Sequence, residues 1–435
     1  MNDKRPESTG GAVRLRPMRV KASAARRIAS GSLWVYANEA LDRLSDFADG
    51  EPVELVAPGG APLGIGAVEP RSLIAVRVFV RAGSGGLHDR EPTGRGESPA
   101  IDRESPAIDR ALFLRRVRVA EARRAPFLRD SSYRLIFSES DLLPGIIIDR
   151  YHELFVVQLL TWGAERLKPV VVDGLRELYR PRGILVRNDV EQRLGQGLST
   201  EDEVLLDDPT VDLRRYPVTL AGLTLEVDFH DAQKTGLFLD QVPSYHFVDG
   251  MSCAGMRGGD LFCYSGLFGM LALARGAEHI TFVDSSETAL QALERNLAAS
   301  GIPGDRWRLL REDVLTWLPT VEPASFDLLF VDPPKFIKSR KTYYQGLQGY
   351  FNLNRAATAA LADGGLLFTY SCSHHAGEEI FRSKVLDAVR KAGASAYELA
   401  RFRQNVDHPV HLAMPESFYL SGLLLRIDRE QAERL

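Results

Sequence analysis

The chain has 435 residues and three cysteines, with 54 Lys and Arg against 58 Asp and Glu, a net charge of −4. That length predicts two to four domains, and three irregularly spaced cysteines exclude a disulfide framework or a cysteine zinc site. No run approaches eighteen apolar residues and the first eleven are polar, so no membrane partner, signal peptide or metal is expected, and the setting is the reducing cytoplasm.

Residues 1–11 read as disordered. From residue 12 to 82, short apolar runs alternate with turns: 53–56, the Pro58-Gly59-Gly60 turn, then 63–68 and 73–80. This rhythm predicts a small β-barrel. Residues 11–30 carry Arg14, Arg16, Arg19, Lys21, Arg26 and Arg27 with no acidic residue, an asymmetry that points to a polyanion such as RNA. The next stretch, 83–110, contains the heptapeptide Glu-Ser-Pro-Ala-Ile-Asp-Arg twice in tandem and reads as a flexible linker.

Residues 111–216 form a predicted central α+β domain. It comprises a basic helix around Arg115 to Arg124, a strand at 133–137, a hairpin at 146–149 and 155–160, a helix at 164–178 and a strand at 183–187. From 217 onward the pattern changes to strand–helix alternation, which predicts a doubly wound parallel sheet.

Asp260-Leu261-Phe262-Cys263-Tyr264-Ser265-Gly266-Leu267-Phe268-Gly269 reads as strand, glycine turn and helix, and Asp284 ends the next strand. In such sheets ligands bind at the carboxyl ends of the strands, and an acid there suits ribose hydroxyls. The glycine turn alone does not distinguish NAD from S-adenosylmethionine. Its spacing departs from Gly-x-Gly-x-x-Gly, however, and the remaining residues suit a phosphate-free cofactor. Asp313 is placed to read an adenine amino group. Lys234, Thr235 and Gly236 lead to Asp240 and Gln241, offering a cation for a methionyl carboxylate and an acid for its ammonium.

Two strand ends carry the reactive groups: Asp332-Pro333-Pro334-Lys335-Phe336 after residues 326–331, and Ser371-Cys372-Ser373 after 365–370. Forty residues separate Asp332 from Cys372, enough for one helical crossover between adjacent strands. Cytosine C5 is a weak nucleophile; a thiolate adding at C6 makes the ring enamine-like, and an acid near N3 takes up the developing charge. Taken alone, Cys372 reads more readily as a small core residue than as a nucleophile, and the core reading is kept for Cys253 and Cys263.

Taken together, Gln233-Lys234-Thr235-Gly236 with Leu239-Asp240-Gln241, the 260–269 turn, Asp332-Pro-Pro-Lys-Phe336, Ser371-Cys372-Ser373, Asp407-His408-Pro409 and Pro415-Glu416-Ser417-x-Tyr419-Leu420 resemble the three-domain large-subunit ribosomal RNA cytosine-5 methyltransferases. The resemblance covers the chain from about residue 13. It implies a multidomain fold: an N-terminal PUA-like barrel, a central α+β domain and a C-terminal Rossmann-like class I methyltransferase domain. It also implies S-adenosylmethionine as cofactor, Cys372 as nucleophile and Asp332 as its acidic partner. Cofactor binding would fall to Lys234, Thr235, Gly236, Asp240, Gln241, Asp260, Tyr264, Ser265, Gly266, Gly269, Asp284, Asp313 and Asp332. RNA, of ribosomal origin, would be held by Arg14, Arg16, Arg19, Lys21 and Lys335, with a homodimer left open. Val242 stands where the family carries an arginine, and Lys335 where the two-cysteine class carries its second thiol. Base-nitrogen methylation and a turnover-free assembly factor are the competing readings.

Overall fold

A computed structural model describes residues 15–83, 108–230, 235–337, 339–374 and 376–429. Arg14, Lys234, the N-terminal segment and the repeat-bearing part of the linker lie outside them. The chain divides into two compact units. The first holds residues up to 127, 134–209 and 411–414, and the second holds 128–133, 210–410 and 415 onward.

In the first unit, β1 (Arg16–Arg19), β2 (Trp34–Tyr36), β3 (Pro52–Val56), β4 (Pro62–Val68) and β5 (Ile74–Arg81) form a five-stranded sheet ordered β1-β3-β4-β5-β2. Alternating apolar residues close it over a core of Met18, Val35, Val53, Val76 and Val78, capped by α1 (Ala22–Ala29) through Ala24 and Ile28. Met414 belongs to the same core, and its sulfur accepts the Leu33 amide at 3.3 Å.

The positive stretch on this barrel is not unopposed. Arg19 grips Asp42 with Nε and Nη2 at 2.9 and 2.5 Å, and Arg27 pairs with Glu39. Arg16 lies 4.0 Å from Glu51 and donates to the Asp46 carbonyl at 2.6 Å. Folding brings acids from 12 to 35 residues downstream against the arginines, which a reading of residues 11–30 alone cannot see. Lys21 is exposed.

The central layer is a second five-stranded sheet, ordered β10-β9-β8-β7-β6. It comprises β6 (Ser132–Phe137), β7 (Ile146–Tyr151), β8 (Leu154–Leu159), β9 (Gly183–Val186) and β10 (Glu203–Leu206). The basic helix, α2 (Arg110–Arg124), is capped by Asp109 accepting the Leu112 amide at 2.9 Å. Its arginines turn partly inward. Arg124 is fully buried and meets Asp141 with two hydrogen bonds, at 3.0 and 2.6 Å, while Arg116 donates to the Phe79 and Leu142 carbonyls. Removing one partner of such a buried pair costs about 3–5 kcal/mol. The single helix expected over 164–178 is two, α3 (Trp162–Arg166) and α4 (Lys168–Tyr179), broken where Pro169 occupies the first turn of the second. A short α5 (Glu191–Gln196) follows.

The second unit opens with the hairpin β11 (Tyr216–Leu220) and β12 (Leu223–Val227), then α6 (Val242–Asp249). Its sheet has seven strands in the order β15-β14-β13-β16-β17-β19-β18. They are β13 (Arg257–Leu261), β14 (His279–Asp284), β15 (Trp307–Arg311), β16 (Phe326–Val331), β17 (Leu361–Ser371), β18 (Ala394–Arg403) and β19 (Ser421–Arg429). The first five run parallel, while β19 inserts antiparallel between β17 and β18. Crossover helices are α7 (Leu267–Ala274), α8 (Glu287–Ala299), α9 (Val314–Trp317), α10 (Tyr343–Ala360) and α11 (Glu378–Lys391). One sheet face stacks Phe268 on Phe330 with ring centres 5.0 Å apart, and the other buries Leu329, Leu367 and Leu425 against α10 and α11. Strand order therefore reverses at β13, whose carboxyl end is a topological switch point. The chain is multidomain, with a small N-terminal β-sheet module and a C-terminal Rossmann-like sheet. Among the described residues, no helix is long and apolar enough to cross a membrane.

Candidate active site

The site gathers at the carboxyl ends of β13, β14, β16 and β17. The apolar run of β16 is buried from Leu328 to Val331 and releases the half-buried Asp332 at the sheet edge. β17 lies beside it, with Val331 level with Thr369, so Ser371 and Cys372 emerge at the same edge. Cys372 is half-buried, and its sulfur lies 3.9 Å from the Pro333 carbonyl oxygen. The two loops are also tied beneath the surface. Ser373 accepts the Ile337 amide at 3.2 Å and shares a 2.8 Å hydrogen bond with the Tyr350 hydroxyl of α10.

The other two cysteines differ in kind. Both are buried, and burial raises the Cys253 thiol to about 11 and the Cys263 thiol well above its usual range, the latter with help from Asp260 and Asp284. A buried thiol of that type carries little thiolate at neutral pH.

Asp332 accepts the Gln241 side-chain amide on Oδ2 at 2.9 Å, and Ser244 donates to the other end of that amide at 3.2 Å. Gln241 therefore reaches the proposed reactive acid directly. Beside it, Asp240 accepts the Tyr419 hydroxyl on Oδ2 at 2.6 Å, and its carbonyl accepts the Asn405 amide at 3.0 Å. Tyr419 is a partner that the sequence did not reveal, although it sits inside a quoted motif. Gln404 holds that C-terminal strap, accepting the Tyr419 amide at 3.0 Å and donating to the Ser417 carbonyl at 2.7 Å.

The glycine turn after β13 is built by Asp260 and Asp284. Asp260 is buried and accepts the Gly269 amide at 2.9 Å, fastening the start of α7. Burial raises its carboxyl well above the usual range, as do Asp332 and Asp284 nearby, against the opposing Gly269 hydrogen bond. Asp284 takes the Tyr264 amide on Oδ2 at 3.0 Å and the Ser286 amide on Oδ1 at 2.8 Å. Tyr264 has a left-handed backbone (φ 47°), and its hydroxyl donates to the Gly236 carbonyl at 3.0 Å, pinning Thr235-Gly236 to the turn. Such local strain concentrates at ligand clamps. The close approach permitted at Gly266 and Gly269 is to protein: a side chain would overlap Leu293 at the first and Phe282 at the second. Ser265 lines a cavity of about 460 Å³ bounded by β12 and α8. Asp313 is exposed, and its Oδ1 caps α9 through the Leu315 amide at 2.8 Å.

Acidic groups dominate this rim. The buried Tyr245 phenol is raised well above its usual range by burial and then by Asp332, Asp240 and Asp260 around it. Those acceptors fit a ligand bearing ribose hydroxyls, an ammonium and a second cationic centre. They do not fit a pyrophosphate.

Residues 18–81 match the family described as PUA-like domain, and residues 249–362 match the one described as Conserved hypothetical protein 95. Across nearly the whole chain, the protein is 34% identical to the ribosomal RNA large subunit methyltransferase I of Shewanella amazonensis over 405 residues, 91% of this chain and 95% of that one. The counterpart from Aeromonas salmonicida is 33% identical over 401 residues, 90% of this chain and 94% of its own. Among solved structures, a putative SAM-dependent methyltransferase from Streptococcus mutans matches with a TM-score of 0.75 at 17% identity, covering 95% of this chain and all of that one.

Proposed function

We propose that this chain, a member of the ribosomal RNA large subunit methyltransferase I family, uses S-adenosylmethionine to methylate C5 of a cytosine in large-subunit ribosomal RNA. One observation carries the choice of carbon over nitrogen. A half-buried cysteine, Cys372, stands at the same sheet edge as Asp332, with its sulfur 3.9 Å from the Pro333 carbonyl oxygen.

The cofactor, when bound, supplies an electrophilic methyl group on its sulfonium. Asp284 accepts from the ribose hydroxyls, Asp313 from the adenine amine, and Asp240 faces the methionyl ammonium. Asp260 fixes the turn on which Tyr264 to Gly266 lie, and Thr235-Gly236 is held to it by Tyr264. Lys234, outside the described residues, is assigned the methionyl carboxylate. The target base must leave its stack to present C6 to a thiolate. Cys372 adds there, Asp332 exchanges a proton at N3 as charge builds, and Gln241 keeps the Asp332 carboxylate turned toward the ring. After C5 has taken the methyl group, N3 returns its proton to Asp332, a water removes the C5 proton, and the electrons of that C–H bond form the C5=C6 double bond and expel Cys372 as thiolate. Lys335, and Arg16, Arg19 and Lys21 on the barrel, are assigned to RNA. The protein is assigned to the cytoplasm.

The test is a covalent trap. Ribosomal RNA carrying 5-fluorocytosine should form a gel-stable adduct with the wild-type protein, because C5 then has no proton to lose. The adduct should vanish with Cys372→Ala, which should retain cofactor binding. A Cys372→Ala protein that methylates near the wild-type rate would instead place the methyl group on a base nitrogen.

A further inference from the structure

The barrel arginines are largely engaged by carboxylates, but a second cationic surface in the chain is not. Between Asp332 and Asp363 the sequence contains no acidic residue, although acids outnumber bases in the chain as a whole. This interval runs from the Asp332 loop through α10. Among the described residues, Lys335, Lys341 and Arg355 form no ion pair, and all three are exposed. Tyr344 is 84% exposed, an unusual position for a large aromatic ring, and packs edge to face with Tyr343, their centroids 5.3 Å apart.

The spacing of Tyr344, Gln348, Asn352 and Arg355 places them along one side of α10, and each is exposed. Gln348 donates to Asn352 at 3.0 Å, so two amides also face outward. This side offers a ring, amide donors and acceptors, and positive charge.

Packing fixes that surface beside the reactive groups. Gly346 and Gly349 let α10 press on the loop after Asp332: a Cβ at 346 would stand 2.9 Å from the Phe336 carbonyl oxygen, and one at 349 would stand 3.0 Å from the Phe336 ring. Phe336 and Tyr350 pack with ring centres 4.8 Å apart, and the Tyr350 hydroxyl reaches Ser373, the neighbour of Cys372. The helix is thus anchored on its inner side to both loops of the candidate site, and its outer side begins there.

We infer that the outer face of α10 from Tyr344 to Arg355, with Lys341 in the turn before the helix, holds single-stranded RNA running from the Cys372 loop. Lys341 and Arg355 neutralise phosphates, and Tyr344 stacks on an unpaired base flanking the extruded target. This deepens the proposed function and rests on it. Stacking needs an exposed ring beside a positive track, which is what sequence-tolerant single-strand binding uses. A protein partner would also find an exposed tyrosine, but the absence of any carboxylate along 30 residues favours a polyanion.

Three variants test the surface: Lys341→Ala with Arg355→Ala, Tyr344→Ala, and Tyr344→Phe. Binding is measured by fluorescence anisotropy against a large-subunit ribosomal RNA transcript and a short unstructured RNA over a salt series. The double variant should lower the slope of log K against log salt by roughly 1.4, two charges at about 0.7 each for a single strand. Tyr344→Ala should weaken binding about tenfold, and Tyr344→Phe, which keeps the ring, should restore it. Cofactor affinity by calorimetry should be unchanged in all three, and Arg16→Ala with Arg19→Ala should change the slope less than the α10 pair does. Wild-type affinity and slope in the α10 variants, with wild-type methyl transfer to RNA intact, would overturn the surface and leave the function standing; a protein-binding role for this face would give the same result. A wild-type protein that neither binds nor methylates ribosomal RNA would bring down both.

Discussion

The buried carboxylate of Asp260 illustrates how one residue can cost stability while organising a site. It holds the Gly269 amide, yet its burial pushes the carboxyl well above the usual range. The folded protein therefore binds this proton more tightly than the unfolded chain, whose value is about 3.9. The stability this group contributes is fully present below the unfolded value and is lost as pH rises through the folded one. Asp260→Asn keeps an acceptor for Gly269 and removes the charge. Its stability, by urea unfolding, should fall less than that of the wild type between about pH 4 and pH 8. Parallel pH curves for the two proteins would show that ionised Asp260 is not penalised by its surroundings.

At the scale of elements, the C-terminal strap assigns a task to Tyr419. Its hydroxyl sets the rotation of Asp240, the acid proposed for the methionyl ammonium. Tyr419→Phe should weaken S-adenosylhomocysteine about tenfold, equivalent to 1.4 kcal/mol and in the range of a charge-assisted hydrogen bond. 5′-Methylthioadenosine, which lacks the amino-acid tail, should bind as before. An equal loss for both ligands by calorimetry would mean that Tyr419 only supports the fold. Elements were legible in the sequence wherever a buried strand ended in a residue with chemistry, as at Val331-Asp332 and Ser371-Cys372. Partnerships were not. Asp42 lies 23 residues from Arg19, and Tyr419 lies 179 from Asp240, so no local pattern announces either pair. Depth was equally hidden. The run Arg115 to Arg124 reads as a basic helix, and only its packing shows that Arg116 and Arg124 are buried. Pro169 did carry a signal, since a proline in a predicted helix marks a first turn or a break.

For the whole molecule, the two units are not consecutive segments of chain. Residues 128–133 belong to the second unit, and 411–414 return to the first. Met414 is 2% exposed inside the barrel core. Met414→Ala should therefore cost the first unit about 2–5 kcal/mol. Amide hydrogen exchange should accelerate in β2 and β5 around Leu33 and remain unchanged in β13 and β16. Exchange unaltered in the barrel would show that its core closes without this residue.

The Leu33–Met414 contact spans 381 positions of chain. Proteins are made from the amino end at about 5–20 residues per second, so roughly 20–75 s separate the appearance of these two residues during synthesis. The apolar core of the barrel must thus wait, incompletely covered, for a methionine delivered 381 residues after Leu33.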